Sequence, residues 1–182
     1  PLATGVLILC TGKATKRIAE LQAHTKEYTA TLQLGATTPS FDMEHTVDHT
    51  YPTAHITREL IEETLPKFVG EIQQVPPAYS ACKINGDRAY KLMREGQDVP
   101  LKAKTLRVDA IEMTHFDEEA MQLSVRVVCG KGTYIRALAR DIGEALGSGA
   151  YLTALRRTRV GDVRVEDCIT LDDFPQWLAE QD

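Results

Sequence analysis

Apolar and polar residues alternate most clearly in KEYTATLQLG, residues 26–35. One side of this stretch carries its larger apolar residues, namely Tyr28, Ala30, Leu32 and Leu34. The other side carries Thr29, Thr31 and Gln33. A period of two is typical of a strand with one buried face. The pattern predicts two more strands over 105–114 and 121–129, on either side of the acidic turn FDEEA.

Other apolar runs predict further elements. The continuous run GVLILC, residues 5–10, predicts a buried strand. Helical spacing predicts helices over 12–26, over 58–65 with Thr57 as cap, and over 132–146. The last of these has an inward face of Ile135, Leu138, Ile142, Ala145 and Leu146. A short helix is expected over YLTALRR, residues 151–157, and a final helix over 171–181 with Thr170 as cap.

Turn signals organise the rest of the chain. Asn85-Gly86 predicts a hairpin turn, and a basic helix over 88–95 should end at Gly96. We interpret residues of about 71–104 as an excursion from a single core rather than as a second domain. TRVGDVRVEDC, residues 158–168, predicts a closing hairpin. Strands and helices in this order favour an α+β fold, a mostly antiparallel sheet with helices packed on it.

Charge and cysteine content add two constraints. The net charge is −5, but residues 83–94, 131–140 and 156–164 each carry a net +3. These segments either converge on one positive face that binds nucleic acid or remain three separate solvated surfaces. The four cysteines are scattered through the chain, and no apolar run is long enough to span a bilayer. A reducing cytoplasm is therefore the expected location.

Four groups of residues could carry chemistry, and each has a simpler interpretation. GKG at 130–132 is either an anion site or a tight turn. His45 and His49 have the spacing of helical zinc ligands, but Thr46, Val47 and Thr50 favour a solvated loop. Arg136 is either an exposed helix residue or the partner of a carboxylate such as Asp42. Tyr28 is either a core aromatic residue or a surface on which an unstacked base lies.

Five ordered motifs carry a resemblance over nearly the whole chain. They are PLATGVLILCTGKATK, KEYTATLQLG, PPAYSACKINGDRAYKLMREG, GKGTYIRALARDIG and LTALRRTRVG. In order and spacing they resemble the bacterial TruB-type tRNA pseudouridine synthases. The resemblance implies the pseudouridine synthase fold and conversion of the T-loop uridine at tRNA position 55 to pseudouridine. It implies a flipped-out base, an aspartate nucleophile, a monomer and no metal or organic cofactor. The excursion is similar to the family's RNA-gripping insertion.

The resemblance also implies roles for individual residues. Tyr28, Arg136 and Asp42 match catalytic positions: the tyrosine that stacks on the target base, the arginine that pairs with the nucleophile, and an acidic partner of that arginine. Around Asp42 the chain reads TTPSFD, where many relatives carry an additional acid. Leu155 matches a leucine that lines the uracil pocket, and Tyr134, which lies beside the catalytic positions, is expected to contact the substrate. The expected RNA contacts are Lys16, Lys83, Arg88, Arg156 and Arg157.

The ends of the chain matter for this resemblance. In the family the nucleophilic aspartate directly precedes PLATG, so we expect it just before Pro1 and expect the printed chain to be inactive alone. A C-terminal RNA-binding domain is expected after Asp182. Two alternatives remain open: an inactive module of the same fold that binds the T-arm or aids tRNA folding, and a metal enzyme built on His45 and His49. The first predicts tRNA binding without pseudouridine, and the second predicts a stoichiometric metal.

Overall fold

The computed structural model describes residues 2–84, 86–97 and 100–181. Its strands are Ala3–Gly5 (β1), Lys26–Leu34 (β2), Ala36–Thr37 (β3), His49–Thr50 (β4), Gly70–Gln74 (β5), Lys83–Ile84 (β6), Asp87–Arg88 (β7), Lys104–Asp117 (β8), Gln122–Cys129 (β9), Ala150–Val160 (β10) and Val163–Arg164 (β11). Its α-helices are Ile18–Ala23 (α1), Arg58–Thr64 (α2), Ala89–Arg94 (α3), Ile135–Ala145 (α4) and Phe174–Ala179 (α5). Turns of 3₁₀-helix occupy Gly12–Arg17, Leu65–Phe68 and Val165–Asp167.

A seven-stranded sheet forms the centre of the fold. Its order is β1-β10-β2-β9-β8-β5, and β11 pairs with the end of β10. β1 runs parallel to β10, whereas the other neighbours in this sheet are antiparallel. The predicted α+β class and mostly antiparallel sheet are therefore confirmed. The short pairs β3–β4 and β6–β7 lie outside the sheet.

The core lies between one face of this sheet and two helices. The alternation in β2 buries Ala30, Leu32 and Leu34, as predicted. Helix α4 buries Leu138 and Ile142 in the same apolar cluster, and α2 adds Ile61. Burying each such large side chain stabilises the fold by about 1.5–3 kcal/mol. The predicted inward face of α4 is confirmed, through to the buried Leu146, except at Ala145, which is exposed.

The predicted cap of helix α2 is confirmed. The backbone N–H of Leu60 donates to the hydroxyl oxygen of Thr57 at 3.1 Å. Such a cap satisfies one of the N–H groups that a helix start leaves without an intrahelical acceptor. At the other end of the chain, Thr170 does not occupy the cap position of α5. That helix begins at Phe174, and the Thr170 hydroxyl instead accepts a hydrogen bond from the Asp173 N–H at 3.1 Å.

The strand predicted over 5–10 was wrong. β1 ends at Gly5, whose φ of +98° belongs to the region that favours glycine. A Cβ at Gly5 would lie 2.1 Å from the carbonyl oxygen of Arg157, so only glycine fits where β1 meets β10. After Val6 the apolar run leaves the core, and Leu7 and Leu9 are 70% and 72% exposed.

The helix predicted over 151–157 was also wrong, because this segment is the middle of β10. Leu152 and Leu155 have helical spacing, but β10 lies between β1 and β2 and forms hydrogen bonds with both. The sheet therefore decides the conformation of a segment whose local preference is weak. The predicted hairpin over 158–168 is confirmed by the pairing of Val160 with Val163.

The excursion leaves the sheet between β5 and β8, which are antiparallel neighbours. It contains the β6–β7 pair, in which Lys83 lies opposite Arg88, and the basic helix α3. Asn85 of the predicted turn lies outside the described residues, as does Pro1, the expected neighbour of the nucleophile.

Candidate active site

Helix α4 positions the arginine predicted to take part in catalysis. It follows the turn at 130–132, where the Thr133 hydroxyl donates to the carbonyl oxygen of Gly130 at 3.1 Å. The structure therefore favours the tight-turn interpretation of GKG. Because Ile135, Leu138 and Ile142 face the sheet, Arg136 and Arg140 lie on the flank of the helix, one turn apart.

The guanidinium of Arg136 connects two loops. Its Nη1 donates to the carbonyl oxygen of Ser40 at 3.0 Å, and its Nη2 donates to the carbonyl oxygen of Tyr79 at 2.8 Å. Its Nε lies 3.9 Å from Oδ2 of Asp42, which makes an ion pair rather than a hydrogen bond. The two side chains are only 20% and 14% exposed. The structure thus brings Arg136 and Asp42 together at a partly desolvated position.

Asp42 is fixed by its own loop. Its Oδ1 accepts hydrogen bonds from the Ser40 hydroxyl at 2.6 Å and from the Glu44 N–H at 2.9 Å. The Thr38 hydroxyl donates to the carbonyl oxygen of Asp42 at 2.7 Å. Ser40 and Thr38 are both buried. Because carboxylate, hydroxyls and backbone satisfy one another, Asp42 can orient Arg136 without large motion of its side chain.

Phe41 adds strain to this loop. Its φ of +57° is rare for a residue with a large side chain and costs about 1–2 kcal/mol. Two contacts hold it: its carbonyl oxygen accepts the Leu152 N–H at 2.9 Å, and the Arg140 guanidinium lies 5.4 Å from the centre of its ring. The strained residue is thereby tied to both β10 and α4, next to Asp42.

Tyr28 and Leu155 lie on the helix-covered face of the sheet. Leu155 of β10 is paired with Ala30 of β2, and Arg157 with Tyr28. Both Tyr28 and Leu155 are half-buried against the core, as is Leu2 at the start of the described chain. Burial raises the pKa of the Tyr28 phenol, so this group stays protonated at neutral pH.

Leu2 lies near both Leu155 and Asp42. It borders a depression of about 500 Å³ together with Asp42, Met43 and Glu44. It also borders a second depression that includes Leu155 and Thr4. Leu2, the residue before β1, therefore borders both the depression at the Asp42 loop and the depression at Leu155. Tyr134, the other predicted pocket residue, is half-buried at the N-terminal cap of α4.

The predicted RNA contacts are spread over several elements. Lys16 is exposed in the 3₁₀ turn before α1, and Lys83 and Arg88 are exposed in the β6–β7 pair. Arg156 is exposed and projects from the face of β10 opposite to Leu155, with its Nη1 3.4 Å from the Thr4 hydroxyl. Arg157 differs, because its Nε and Nη2 both donate to the carbonyl oxygen of Val6, at 2.9 and 2.7 Å. This arginine holds the end of β1.

The excursion is joined to the Asp42 loop as well as to Arg136. Arg94 of α3 lies 3.8 Å from a carboxylate oxygen of Glu44, and the rings of His45 and Tyr79 lie 4.7 Å apart. His45 is therefore engaged with an aromatic ring, and 45–49 is not helical, so the spacing argument for zinc does not apply. Among the described residues, no three His, Cys, Asp or Glu side chains lie close enough to hold a metal ion.

Three residues of the site were missed by the sequence analysis. Ser40 and Tyr79 contribute backbone carbonyls to Arg136, and a carbonyl leaves no signal in residue type. Gln74 is 1% exposed and forms two hydrogen bonds with the backbone of Tyr134. In the sequence Gln74 is only the second of two adjacent glutamines shortly before Pro76-Pro77, and nothing in that pattern indicates a buried side-chain amide.

Over the described ranges, the helices are all too short or too polar to cross a membrane.

The chain matches two family models. Residues 1–135 match the TruB family pseudouridylate synthase N-terminal domain, and residues 136–182 match the tRNA pseudouridylate synthase B C-terminal domain. The boundary between the two matches falls inside helix α4, between Ile135 and Arg136. The second match includes β10, so in this structure both matched parts contribute to one sheet.

Curated relatives agree with these matches. The tRNA pseudouridine synthase B of Phocaeicola vulgatus is 66% identical over 182 residues, which are all of this chain and 77% of that protein. The tRNA pseudouridine synthase B of Flavobacterium johnsoniae is 48% identical over 178 residues, which are 98% of this chain and 77% of that protein.

Solved structures show the same architecture. A chain of a Cbf5-Nop10-Gar1 complex has a TM-score of 0.68 and 29% identity, with 99% of this chain and 45% of that chain covered. A chain of an H/ACA RNP bound to a substrate RNA containing 2′-deoxyuridine has a TM-score of 0.63 and 26% identity, over 95% of this chain and 41% of that chain. With two family models that together span the chain and a relative that is 66% identical over all of it, this protein belongs to the TruB family of tRNA pseudouridine synthases.

Proposed function

We propose that this protein isomerises the uridine at position 55, in the T-loop of tRNA, to pseudouridine. Family membership gives the reaction class, and one structural observation supports its location. Arg136 is held by two backbone carbonyls and by Asp42, and Asp42 borders the same depression as Leu2, the residue before β1. An aspartate bonded to Pro1 would be two residues from Leu2 along the chain, and we infer that its carboxylate reaches this depression.

The proposed reaction is an isomerisation and needs no oxidant or reductant. The carboxylate of the aspartate before Pro1 attacks C1′ of the ribose, and the bond between C1′ and N1 of uracil breaks as an ester to the enzyme forms. The uracil turns in the pocket, and C5 bonds to C1′ while the ester bond breaks and frees the carboxylate. C5 then loses its proton and N1 gains one. Covalent catalysis of this kind divides one difficult step into easier ones. Because atoms and electrons balance within the substrate, a redox cofactor has no role in the reaction.

Each site residue then has a part in this scheme. Tyr28 stacks on the extruded base and serves in proton transfer as a neutral phenol, since burial raises its pKa. Arg136 pairs with the nucleophilic carboxylate, for which a planar guanidinium is well suited. Asp42 orients Arg136, while Leu155 and Tyr134 line the uracil pocket. Extrusion of the base costs a few kcal/mol, which contacts in the pocket and along the RNA offset.

The RNA lies across the exposed cations of the chain. We assign this contact to the exposed Lys16, Lys83, Arg88 and Arg156 and to the half-buried Arg157, with the part of the excursion that follows β5 gripping the T-arm. Lys83 and Arg88 are exposed opposite one another and present two positive charges on one short hairpin. Arg157 contributes through position, because two of its donors are already bonded to Val6.

A tritium-release assay tests the reaction. The natural protein is incubated with unmodified tRNA that carries tritium at C5 of uridine, because formation of the C–C bond expels that hydrogen into water. We expect release of about one tritium per tRNA, unchanged by a metal chelator. The names of the curated relatives favour an enzyme over a T-arm binding module. Tight binding of tRNA without release of tritium would contradict the proposed enzymatic activity and favour the alternative, an inactive module that binds the T-arm.

A further inference from the structure

A buried glutamine holds the start of the helix that carries Arg136. Gln74 ends β5 and is 1% exposed. Its Oε1 accepts the backbone N–H of Tyr134 at 3.0 Å, and its Nε2 donates to the backbone carbonyl oxygen of Tyr134 at 3.2 Å. The side-chain amide therefore pairs with one residue through both its donor and its acceptor.

The position of this pair is important for helix α4. Tyr134 is the cap residue, with extended angles of φ −96° and ψ 114°, and it makes no side-chain cap of its own. Its N–H lies outside the helical hydrogen-bond ladder and needs an external acceptor. Its carbonyl oxygen already accepts the Leu138 N–H at 3.0 Å. Gln74 therefore fixes the peptide groups on both sides of Tyr134, directly N-terminal to the first turn of α4.

Arg136 stands two residues after this cap. Its Nη2 donates to the carbonyl oxygen of Tyr79, in the connecting segment that begins directly after Gln74. The segment that leads from β5 into the excursion is thus joined to α4 first through Gln74 and then through Tyr79. Rotation or sliding of the first helical turn is restricted at both points, and the direction of the Arg136 guanidinium is set accordingly.

We propose that Gln74 is a positioning residue for catalysis, which fixes the first turn of α4 so that Arg136 meets the nucleophilic carboxylate. The inference rests on the proposed function. Gln74 is buried and hydrogen-bonds only to backbone groups of Tyr134, so it acts on the reaction through the first turn of α4 and chiefly through Arg136. Its loss should therefore slow the chemical step without weakening the capture of tRNA.

The variant Gln74→Met tests this, because it has a similar length and removes both hydrogen bonds. In the natural protein we expect kcat to fall about 10- to 100-fold, as expected for a catalytic group displaced by about 1 Å, with KM within about threefold of the parent. The matched control is Gln73→Met on the same strand. Gln73 is exposed and donates to the Thr105 hydroxyl at 2.6 Å, so this variant should leave both constants unchanged.

A second background distinguishes positioning from a general loss of packing. In an Arg136→Lys protein the guanidinium is gone, so adding Gln74→Met should lower the single-turnover rate by a clearly smaller factor than it does in the parent protein. Gln74→Glu keeps the acceptor for the Tyr134 N–H and should lie between the parent and Gln74→Met in kcat. It also provides the readout if the methionine variant does not fold.

Three results would overturn the inference: unchanged kcat in both Gln74 variants, a rise in KM that accounts for the loss, or an equal loss in the Arg136→Lys background. An inactive parent protein would instead refute the proposed function itself, so the two failures are distinguishable.

Discussion

Replacing Arg136 with alanine separates the catalytic role of this arginine from its structural role. The change removes two hydrogen bonds to backbone carbonyls and the ion pair with Asp42. Because both charged side chains are mostly buried, Asp42 would be left without its cationic partner at a partly desolvated position. We expect the free energy of unfolding to fall by about 2–4 kcal/mol, less than for a fully buried pair.

The expected effect on catalysis is larger than this loss of stability explains. In the proposed mechanism Arg136 pairs with the nucleophilic carboxylate, so Arg136→Ala in the natural protein should lower kcat by about 10²–10³ and leave KM within about threefold. This corresponds to about 2.7–4 kcal/mol of lost transition-state stabilisation. Tritium release from C5-labelled tRNA gives both constants, provided that the temperature is well below the unfolding transition of the variant.

Arg126→Ala is the matched control. Arg126 also carries several hydrogen bonds, to Glu27 at 2.8 Å and to Glu112 at 3.0 Å, but it lies on the polar face of the sheet, away from α4. The Arg126→Ala variant should be less stable than the parent protein, but its kcat should stay within about twofold of the parent value. Equal losses of kcat in the two variants, or a loss of tRNA affinity as large as the loss of turnover in Arg136→Ala, would refute the assigned role.

Three further outcomes are expected. Burial raises the pKa of the Cys129 thiol to about 11, whereas the unfolded thiol ionises near its ordinary value of about 9. The free energy of unfolding should therefore fall by about 1.4 kcal/mol per pH unit between these values, because the unfolded state loses its proton first. Denaturant titrations at pH 8, 9 and 10 should show a shallower decline of this free energy for Cys129→Ala than for the parent protein. Parallel declines in the two proteins would contradict the assignment. Thr57→Ala should lower stability by about 1 kcal/mol in thermal unfolding, because the cap of α2 is lost, and an unchanged midpoint would argue against the cap. Lys83→Ala should weaken tRNA binding and reduce the slope of log Kd against log salt concentration by the amount that one phosphate contact contributes. The same change at the exposed Lys67 should alter neither quantity. An unchanged slope for Lys83→Ala would show that Lys83 does not contact the RNA.

Local patterns were sufficient where one element decides its own structure. The alternation in β2, the Thr57 cap and the inward face of most of α4 follow from residue type and spacing. The ion pair between Arg136 and Asp42 was one of two interpretations of the sequence, and the structure places the two side chains together.

Sequence patterns failed where pairing with strands that are distant in the sequence decides the conformation of a segment. YLTALRR has helical spacing, yet β10 is a strand because both of its edges are paired with other strands. GVLILC resembles a buried strand, but the chain turns at Gly5, where β10 approaches too closely for a side chain. Residue type also hides backbone groups: the carbonyls of Ser40 and Tyr79 bind Arg136, and neither residue attracted attention in the sequence.

The central claim is that the site around Arg136 converts uridine 55 of tRNA to pseudouridine. The most direct measurement is to map pseudouridine by carbodiimide labelling and primer extension on an unmodified tRNA transcript treated with the natural protein. The account predicts a modification at position 55 that forms at least about 100-fold more slowly with Arg136→Ala, the lower bound of the transition-state loss expected above. Modification at a different position, or an equal rate at position 55 with the variant, would contradict it.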